Sequence, residues 1–337
     1  MAITKPKTEF AAAINQICAE RGIQPEVVLQ TIREAMLAAY RRDFGFKEGF
    51  EYEALVDSQT GETHIFSWKE GEKGKNRNEI TPPGFGRIAA QVAKQVLLQK
   101  IREAEKSAIL DEYAKRVGSL VNGMILRFEG PNIIVDIGKG EGVMPSSEQI
   151  RGERYTPNQR LVFLIKEIQE SPRDKQIIVS RADDQLVAAL FRREVREVGS
   201  GAVQIKNIAR EPGSRTKLAV LSTQAGVDPV GSCVGQKGVR VQRVIDELGG
   251  EKIDIIQYSE DPEKFIAAAL SPAEKIKVEV DKKQKTATVF APGDQLSLAI
   301  GKGGQNVRLA SELTGFKIEV KQEETSSKAK KEKNNKK

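Results

Sequence analysis

Two short glycine loops are the features of this chain best suited to binding a ligand. They are Gly235-Gln236-Lys237-Gly238 and Gly301-Lys302-Gly303-Gly304, and they begin 66 residues apart (301 − 235). Glycine lets a ligand approach the main chain closely, and the lysines inside the loops add positive charge. Backbone N–H groups at the start of a following helix would face an anion, supported by the helix dipole. The pattern therefore predicts binding of a phosphodiester backbone.

The segments around each loop are the same in type and order. Apolar helical segments at 229–234 and 296–300 precede the loops, and second helices run towards Gly249 and Gly315. Alternating stretches that indicate strands follow, at 252–256 and 316–320. Helix, GxxG, helix and strand form the core of the KH module, which clamps single-stranded nucleic acid. One GxxG is weak, because glycine pairs often make ordinary helix–helix turns, but two copies in one context favour the KH interpretation.

Each core is preceded by a further helix and two strands. Before the first loop we predict a helix over 184–198 and strands over 203–208 and 216–221; before the second, a helix over 262–270 and strands over 275–280 and 286–290. This order is typical of the prokaryotic-type (type II) KH fold. We therefore predict two tandem type II KH domains, at 184–258 and 259–322.

Between residues 118 and 183 the apolar period changes to two. Strand-like runs lie at 120–128, 132–137, 140–144, 160–168 and 176–180, separated by Gly, Pro and Asn. Five short strands favour a five-stranded OB-type β-barrel, a fold often used on single-stranded nucleic acid. An SH3-like barrel that binds protein stays open as the alternative. Phe128 and Phe163 could stack on bases, but their position among strand residues favours the core.

Residues 1–117 are typical of an α+β domain, so the whole chain is predicted to be a multidomain α+β protein. The elements are a helix carrying Phe10, Ile14, Ile17 and Cys18 and stopping at Gly22, a second helix from Pro25 to just before Gly45, strands at 52–57 and 62–68, a polar stretch over 69–81, and a long amphipathic helix beyond 84 that reaches about 117.

Charge is unevenly distributed along the 337 residues. The net charge is +7, yet residues 328–337 carry six Lys and one Glu, or +5, which leaves +2 for the rest. RNA binding by the residues before 328 must therefore rest on local positively charged surfaces. Residues 323–337 are predicted to be a disordered, lysine-rich solubilising tail, with weak electrostatic contact to RNA as the alternative.

The remaining composition excludes several classes of protein. Cys18 and Cys233 are far apart and without CxxC spacing, which argues against a disulfide framework or a zinc site and for a reducing compartment. Neither a signal peptide nor an apolar run of membrane-spanning length is found. We expect a soluble cytoplasmic monomer that needs no cofactor and no metal and does not contact a membrane.

An enzyme is the second class of function to consider. The only histidine, His64, lacks an accompanying nucleophile or metal-ligand pattern. Gly138-Lys139-Gly140 is not a phosphate-binding Walker loop, because no GxxxxGK[ST] follows a strand here. KH and OB modules also accompany phosphorolytic ribonucleases, but no such catalytic core is recognisable. We therefore predict no catalytic residues.

Several long phrases resemble the NusA family of bacterial transcription factors. They include Val135-Asp136-Ile137-Gly138, Asp228-Pro229-Val230-Gly231-Ser232-Cys233-Val234-Gly235, the stretch from Ala299 to Ala310, and Gly86-Arg87-Ile88-Ala89-Ala90-Gln91. The resemblance extends from the first helix to about Val320. It implies an amino-terminal domain that binds RNA polymerase near the RNA exit channel, then an S1-type OB domain and two KH domains that hold emerging RNA. Other termination or antitermination factors are implied as further partners.

The chain departs from the family pattern in two places. Arg196 stands where the family usually has proline, which could change how the barrel leads into the first KH helix. The lysine-rich end replaces the acidic repeats that some members carry. Interactions that belong to those repeats are therefore not transferred to this chain.

The combined hypothesis is a transcription elongation factor that holds nascent single-stranded RNA and modulates pausing, termination and antitermination. A general RNA chaperone or ribosome-associated protein acting without polymerase is the alternative. The basic loop 210–217 either borders the RNA groove or is an ordinary solvated hairpin. Arg240 and Arg308 are second-rank phosphate contacts or solvated surface charges. The predicted RNA-binding residues are Gly235, Gln236, Lys237, Gly238, Arg240, Gly301, Lys302, Gly303, Gly304 and Arg308.

Overall fold

The computed structural model describes Ala12, Ile14, Cys18, Ala19 and residues 24–72, 76–170 and 175–323. The chain divides into two compact units, Met1–Glu112 and Tyr113–Lys337. Most of the predicted lysine-rich tail lies outside the described residues. Within the described part of the chain, no helix combines the length and the apolar character needed to span a lipid bilayer.

The first unit packs two helices on a small antiparallel sheet. Its elements are α1 (Pro25–Phe44), β1 (Phe50–Val56), β2 (Thr63–Lys69), β3 (Asn78–Glu79) and α2 (Phe85–Ala114). The strands lie in the order β1-β2-β3, and Ile32, Met36, Ile65 and Phe85 form a fully buried core with both helices. Pro25 occupies the first turn of α1, where its missing N–H costs nothing, and Gly45 ends the helix.

The first unit differs from the sequence prediction in one strand. The polar stretch 69–81 contains the short strand β3, which its sequence did not indicate. For the predicted first helix, Ile14 and Cys18 are helical and buried. Phe10, Ile17 and Gly22 lie outside the described residues.

The second unit begins with a closed five-stranded barrel. Its strands are β4 (Leu120–Glu129), β5 (Asn132–Asp136), β6 (Glu141–Met144), β7 (Arg160–Glu170) and β8 (Lys175–Ser180), in the order β4-β5-β6-β8-β7. Antiparallel pairing of β4 with β7 closes the barrel, and β6 runs parallel to β8. Phe163 is fully buried, as predicted, but the prediction for Phe128 was wrong, because its side chain is 49% exposed.

The predicted helix over 184–198 is interrupted. Helix α3 (Asp184–Glu194) starts at an aspartate cap, Asp183, and ends at Val195, whose φ of −114° and ψ of 107° are extended. A short helix, α4 (Arg196–Gly199), begins immediately afterwards. The extended residue between them is what a following proline would impose. The backbone of this chain therefore keeps the break although Arg196 is not proline.

Two KH units with the same topology follow. The first continues with β9 (Val203–Glu211), β10 (Arg215–Ser222), α5 (Pro229–Val234), α6 (Val239–Glu247) and β11 (Lys252–Gln257). The second comprises α7 (Pro262–Ala269), β12 (Lys277–Asp281), β13 (Thr286–Ala291), α8 (Leu296–Ile300), α9 (Gln305–Thr314) and β14 (Lys317–Gln322). In both sheets the first two strands are antiparallel, and the third pairs parallel to the second. The predicted duplication is confirmed.

The sheet of the first KH unit is covered on both faces. On one face Leu218 and Val220 pack with Leu186 and Leu190 of α3 and with other side chains of this unit and the barrel. On the other face Ala209, Ala219 and Ile256 pack against the second KH unit. There the partners are Phe265 and Ile266 of α7 and Leu309, Ala310 and Leu313 of α9. The small alanines allow α9 to approach closely, so the two KH units share a continuous core.

The basic loop 210–217, which we call the junction hairpin, has buried residues in its strands, whereas Gly213 and Ser214 at its turn are exposed. The side chains of Arg210 and Lys217 have no exposed surface. Arg210 is paired with Glu251 at 2.9 Å, and Lys217 with Asp254 at 3.1 Å. Burial lowers the pKa of the Lys217 ammonium, and Asp254 opposes that shift. Arg210 and Lys217 are therefore not solvated charges, because burial makes both cations pair with carboxylates. That the hairpin borders the RNA groove stays a prediction.

A second buried arginine joins the barrel to the first KH unit. The guanidinium of Arg181, at the end of β8, donates to both carboxylate oxygens of Glu153 at 2.6 and 2.8 Å. It also donates to the backbone carbonyls of Val162 in the barrel, at 2.8 Å, and Glu247 at the end of α6, at 2.9 Å. Removing one partner of such a pair costs about 3 to 5 kcal/mol, because the other charge stays buried.

The break at Val195 predicts that proline is accepted at position 196. In an Arg196→Pro variant we expect the free energy of unfolding to rise by about 0.4 to 1 kcal/mol, because proline restricts the unfolded chain and the first helical position needs no N–H donor. Urea unfolding followed by circular dichroism, with an unchanged m value, measures this difference.

Arg193→Pro provides the matched control. Arg193 is also an exposed arginine but lies inside α3, and proline there should destabilise by about 3 kcal/mol. Equal destabilisation by both substitutions would show that the backbone at 196 does not have the geometry described.

Candidate nucleic-acid interface

The two glycine loops have the same backbone conformation. Each consists of a glycine, a short 3₁₀ turn (Gln236–Gly238 or Lys302–Gly304) and the start of the next helix. At the first glycine, φ and ψ are 74° and 173° (Gly235) and 75° and 171° (Gly301). At the third position they are 55° and 24° (Lys237) and 60° and 24° (Gly303). At the last glycine they are 77° and 11° (Gly238) and 75° and 13° (Gly304). One geometry is therefore built twice.

The first glycine of each loop is required by the protein itself. Gly235 and Gly301 occupy a region of φ and ψ that is essentially restricted to glycine. A Cβ on Gly235 would lie 2.7 Å from Cγ of Arg240, and one on Gly301 would lie 2.8 Å from the backbone N of Asn306. The first glycine thus lets the loop fold tightly over the start of the following helix.

The last glycine of each loop has a different environment. Gly238 and Gly304 are left-handed, and a Cβ on either would have no protein atom within 4 Å. No group of the protein packs against this side of the loop. The space suits the close approach of a ligand backbone.

The helices after the loops begin without a compensating side chain. Helices α3, α5 and α7 each start at an aspartate, Asp183, Asp228 or Asp261, whose carboxylate accepts a backbone N–H. By contrast, α6 and α9 start at glycines with no side-chain cap and no acidic residue in the first turn. Because the first N–H groups of a helix carry partial positive charge, both ends are suited to an external anion.

The middle residues of the loops are exposed but not equivalent in charge. Gln236, Lys237, Lys302 and Gly303 are all exposed. The lysine is third in the first loop and second in the second loop. Lys237 adopts the left-handed conformation that Gly303 adopts in the second loop, which costs a non-glycine residue about 1 kcal/mol. The positive charge of the first loop is thus held in a strained position.

A groove of about 790 Å³ opens beside the first loop. The loop contributes Gly235 and Gln236, α6 contributes Val239 and Arg243, and Glu197 of α4 stands among the other lining residues. Val239 is 51% exposed and offers an apolar surface. The groove combines an uncapped helix end with an apolar contact, as a nucleotide requires.

Hydrogen bonds to residues outside the first loop hold the side chain of Arg240 in place. Its Nη1 donates to the carbonyl of Ser232 at 2.7 Å and to Glu197 at 3.0 Å. The backbone N–H of Glu197 itself and the Arg240 guanidinium hold the pKa of this carboxyl below its ordinary value. By distance from the loop Arg240 corresponds to Asn306, which donates to the carbonyls of Leu270 and Leu298. Both residues brace a loop, and phosphate contact by Arg240 stays a prediction.

Arg308 connects the second loop to the junction hairpin. It donates to the carbonyl of Gly303 at 3.3 Å and to Glu211 at 2.7 Å, and Gln305 donates to the same carboxylate at 2.8 Å. Burial raises the pKa of Glu211, but these hydrogen bonds outweigh burial and hold it below the ordinary value. The side chain of Arg308 remains 57% exposed, so it is accessible to phosphate.

Sequence reasoning missed the two glutamates that pair with these arginines. Glu197 is 43 residues from Arg240, and Glu211 is 97 residues from Arg308. No local pattern signals such pairs, because they form only when the α3–α4 break and the junction hairpin are in place.

The single histidine of the chain belongs to the first unit. His64 Nδ1 is 2.7 Å from an oxygen of Glu79 at the exposed edge of the first unit's sheet. Among the described residues, no three or more His, Cys, Asp or Glu side chains are grouped so that they could hold a metal ion.

Comparison with protein-family models assigns the same segments. Residues 181–258 match the NusA-like first KH domain, residues 262–328 the NusA-like second KH domain, and residues 9–81 and 69–107 the NusA N-terminal domain. The transcription termination/antitermination protein NusA of Halalkalibacterium halodurans is 41% identical over 340 residues, which cover 94% of this chain and 88% of that protein. The chain belongs to the NusA family.

Other members of the NusA family show the same extent of similarity. NusA of Bacillus subtilis is 39% identical over 340 residues, covering 94% of this chain and 91% of that protein. The solution structure of the N-terminal domain of B. subtilis NusA is 29% identical, covers 29% of this chain and 97% of that chain, and has a TM-score of 0.25. The family-model matches confirm the predicted amino-terminal and tandem KH domains.

Charge reversal in the loops should weaken RNA binding. In a full-length variant with Gln236, Lys237, Lys302 and Gly303 replaced by Asp, each loop changes by −3 charges, and we expect affinity for single-stranded RNA to fall at least about 10-fold through repulsion. Fluorescence anisotropy with a labelled RNA at two salt concentrations measures the loss.

The control is Lys282→Asp with Lys283→Asp, which changes the net charge by −4, against −6 for the loop variant. Both lysines are exposed in the turn between β12 and β13, so the pair changes charge on the same KH unit away from its loop. If the loop variant stays folded and binds RNA like this control, the loops are not the interface.

Lys237→Gly should separate stability from binding. Glycine relieves the left-handed strain, so we expect unfolding to cost about 0.5 to 1 kcal/mol more, while RNA affinity falls about 3-fold through loss of one cation. Urea unfolding and RNA titration on the same preparation give both values. Lower stability of the variant would contradict the strain assigned to this position.

Proposed function

We propose that this member of the NusA family is a transcription elongation factor that binds RNA polymerase through residues 1–117 and nascent single-stranded RNA through the rest of the folded chain. The observation that carries the proposal is the pair of matching glycine loops, each at an uncapped helix start. The names of the relatives, transcription termination/antitermination proteins, support the same assignment.

The proposed mechanism is positional. The loops hold RNA that leaves the polymerase as a single strand. An RNA segment bound in this way cannot pair into a hairpin at the same time. Pause lifetime, termination and antitermination would then depend on which RNA segment occupies the loops. Holding the RNA in this way needs no covalent step.

The barrel is proposed to be an S1-type OB fold, with a domain division at 1–117, 118–183, 184–258 and 259–322. Its strand order, β4-β5-β6-β8-β7, and its closure by β4 and β7 favour this interpretation over an SH3-like barrel. The exposed ring of Phe128 offers a surface for base stacking on the barrel. Further termination or antitermination factors remain proposed partners.

The proposal includes no catalytic activity. His64, the single histidine, is engaged by Glu79 and lies in the first unit. Cys233, close to the first loop, is buried, and burial raises the pKa of its thiol to about 12, which disfavours the reactive thiolate.

A general RNA chaperone would use the same loops without polymerase, so the first unit discriminates between the two functions. It has its own buried core, which includes Ile32, Met36, Ile65 and Phe85. We expect the fragment 1–117 to bind core RNA polymerase saturably, since the proposal assigns polymerase contact to this part alone. A pull-down with increasing fragment concentration measures the binding.

The full-length loop variant described above is the control for this experiment. It should bind polymerase as the unmodified chain does, because its substitutions lie outside residues 1–117. A folded fragment that does not bind would favour the chaperone alternative, whereas loss of polymerase binding in the loop variant would place the contact in the KH units.

A further inference from the structure

A groove of about 490 Å³ lies on the first KH unit and the segment that enters the barrel, and it includes neither glycine loop. One wall is formed by Lys115 and Arg116, and the other by Arg192 and Arg193 of α3. The floor includes Leu120 and Ala189. We call it the α3 groove.

The cations of the α3 groove differ from those beside the loops in their partners. Among the described residues, Lys115, Arg116 and Arg192 have no carboxylate within ion-pair distance, and no acidic residue lines the groove. Arg116 stacks on the ring of Tyr113 at 5.1 Å, which orients its guanidinium without neutralising it. Positive charge therefore faces the groove from both walls.

Among the wall residues, the described part of the chain gives acidic partners to Arg193 alone, and these connect the groove to α6. Its guanidinium is 3.0 Å from Glu194 and 3.8 Å from Glu247 at the end of α6. The first glycine loop lies at the opposite end of α6, and a helix of nine residues is about 13 Å long. A strand that leaves the loop along α6 would reach the α3 groove.

The adjoining cavity is less positive than the α3 groove. Arg192 also lines a space of about 430 Å³ beside β9, whose other charged lining residues are Lys206 and Asp184. The α3 groove, with four cations and no acid in its lining, is therefore the more favourable of the two for a polyanion. Arginine forks on two walls suit phosphate groups, which they can contact with two hydrogen bonds each.

We infer that the α3 groove is a further binding site for the phosphodiester backbone of single-stranded RNA, separate from both glycine loops. The inference rests on the RNA binding proposed above and extends the RNA path from the first loop across α3. The apolar floor accommodates sugar and base edges, and the binding does not depend on base sequence, because the groove offers charge rather than a pattern of base-reading groups.

The test uses the full-length chain with Lys115→Glu and Arg192→Glu together. Each KH loop clamps about four nucleotides, so an RNA of about 8 nucleotides can fill both loops, and one of about 20 can also enter the groove. We expect the affinity for the longer RNA to fall about 10-fold. The slope of log affinity against log salt should decrease by about 1.4, which is two phosphate contacts at 0.7 each. Affinity for the shorter RNA should change less than about 2-fold.

Three controls make the outcome decisive. Lys282→Glu with Lys283→Glu changes the net charge equally in an exposed turn and should leave both affinities unchanged. Lys115→Gln with Arg192→Gln removes the charges without reversing them and guards against misfolding of the first variant. The loop variant should lose the shorter RNA and keep a weaker, salt-sensitive affinity for the longer one.

The results separate this inference from the proposed function. If the groove variants bind the longer RNA with the affinity and salt slope of the Lys282 and Lys283 control, the groove does not bind RNA, whereas the loops still can. If both RNA lengths weaken equally, the effect is one of overall charge and the site is refuted. If the unmodified chain binds neither RNA, the proposed function itself is refuted together with the site.

Discussion

A guanidinium and a carboxylate without exposed surface, Arg210 and Glu251, hold the second unit of this protein together. One oxygen of Glu251 accepts hydrogen bonds from Arg210 and Thr216, and the other from Arg210 and the backbone N–H of Gly213. The pair fixes the turn of the junction hairpin, where a Cβ on Gly213 would lie 2.4 Å from Ile150 of the barrel. Separating Arg210 from Glu251 would leave an unpaired buried charge, which is costly. The pair therefore favours a single placement of the hairpin relative to the barrel and the KH units that contact it.

The same hairpin separates the buried interior of the KH units from the exposed candidate interface. Its strands belong to a sheet that is buried on both faces, so apolar packing is directed inward between the two KH units. The glycine loops lie at helix starts, with their middle residues exposed. Glu211 reaches from the hairpin to Arg308 beside the second loop, which connects the buried network to the surface that we propose binds RNA.

The elements that the sequence predicted well are those with local signals. Proline and glycine mark both ends of α1, and the two loops and the strand order repeat at a constant spacing. The burial of Arg210 was not predictable, because charged residues are ordinarily exposed and its partner is 41 residues away. Phe128 was misassigned because a bulge between Ile125 and Arg127 ends the alternation of β4, leaving the last three residues exposed. The pairing of Arg240 and Arg308 with glutamates depends likewise on tertiary contacts.

The shared core of the KH units also affects how RNA affinity depends on the spacing between the two segments at the loops. If both loops bind one RNA as proposed, the second contact is intramolecular, so its strength depends on an effective concentration set by the RNA between the contacts. RNA whose held segments are separated by the matching distance would then gain avidity over either loop alone. In that proposal, the packing of Ala209 and Ala219 against α9, which fixes one KH unit on the other, makes the spacing between the two held segments a determinant of affinity.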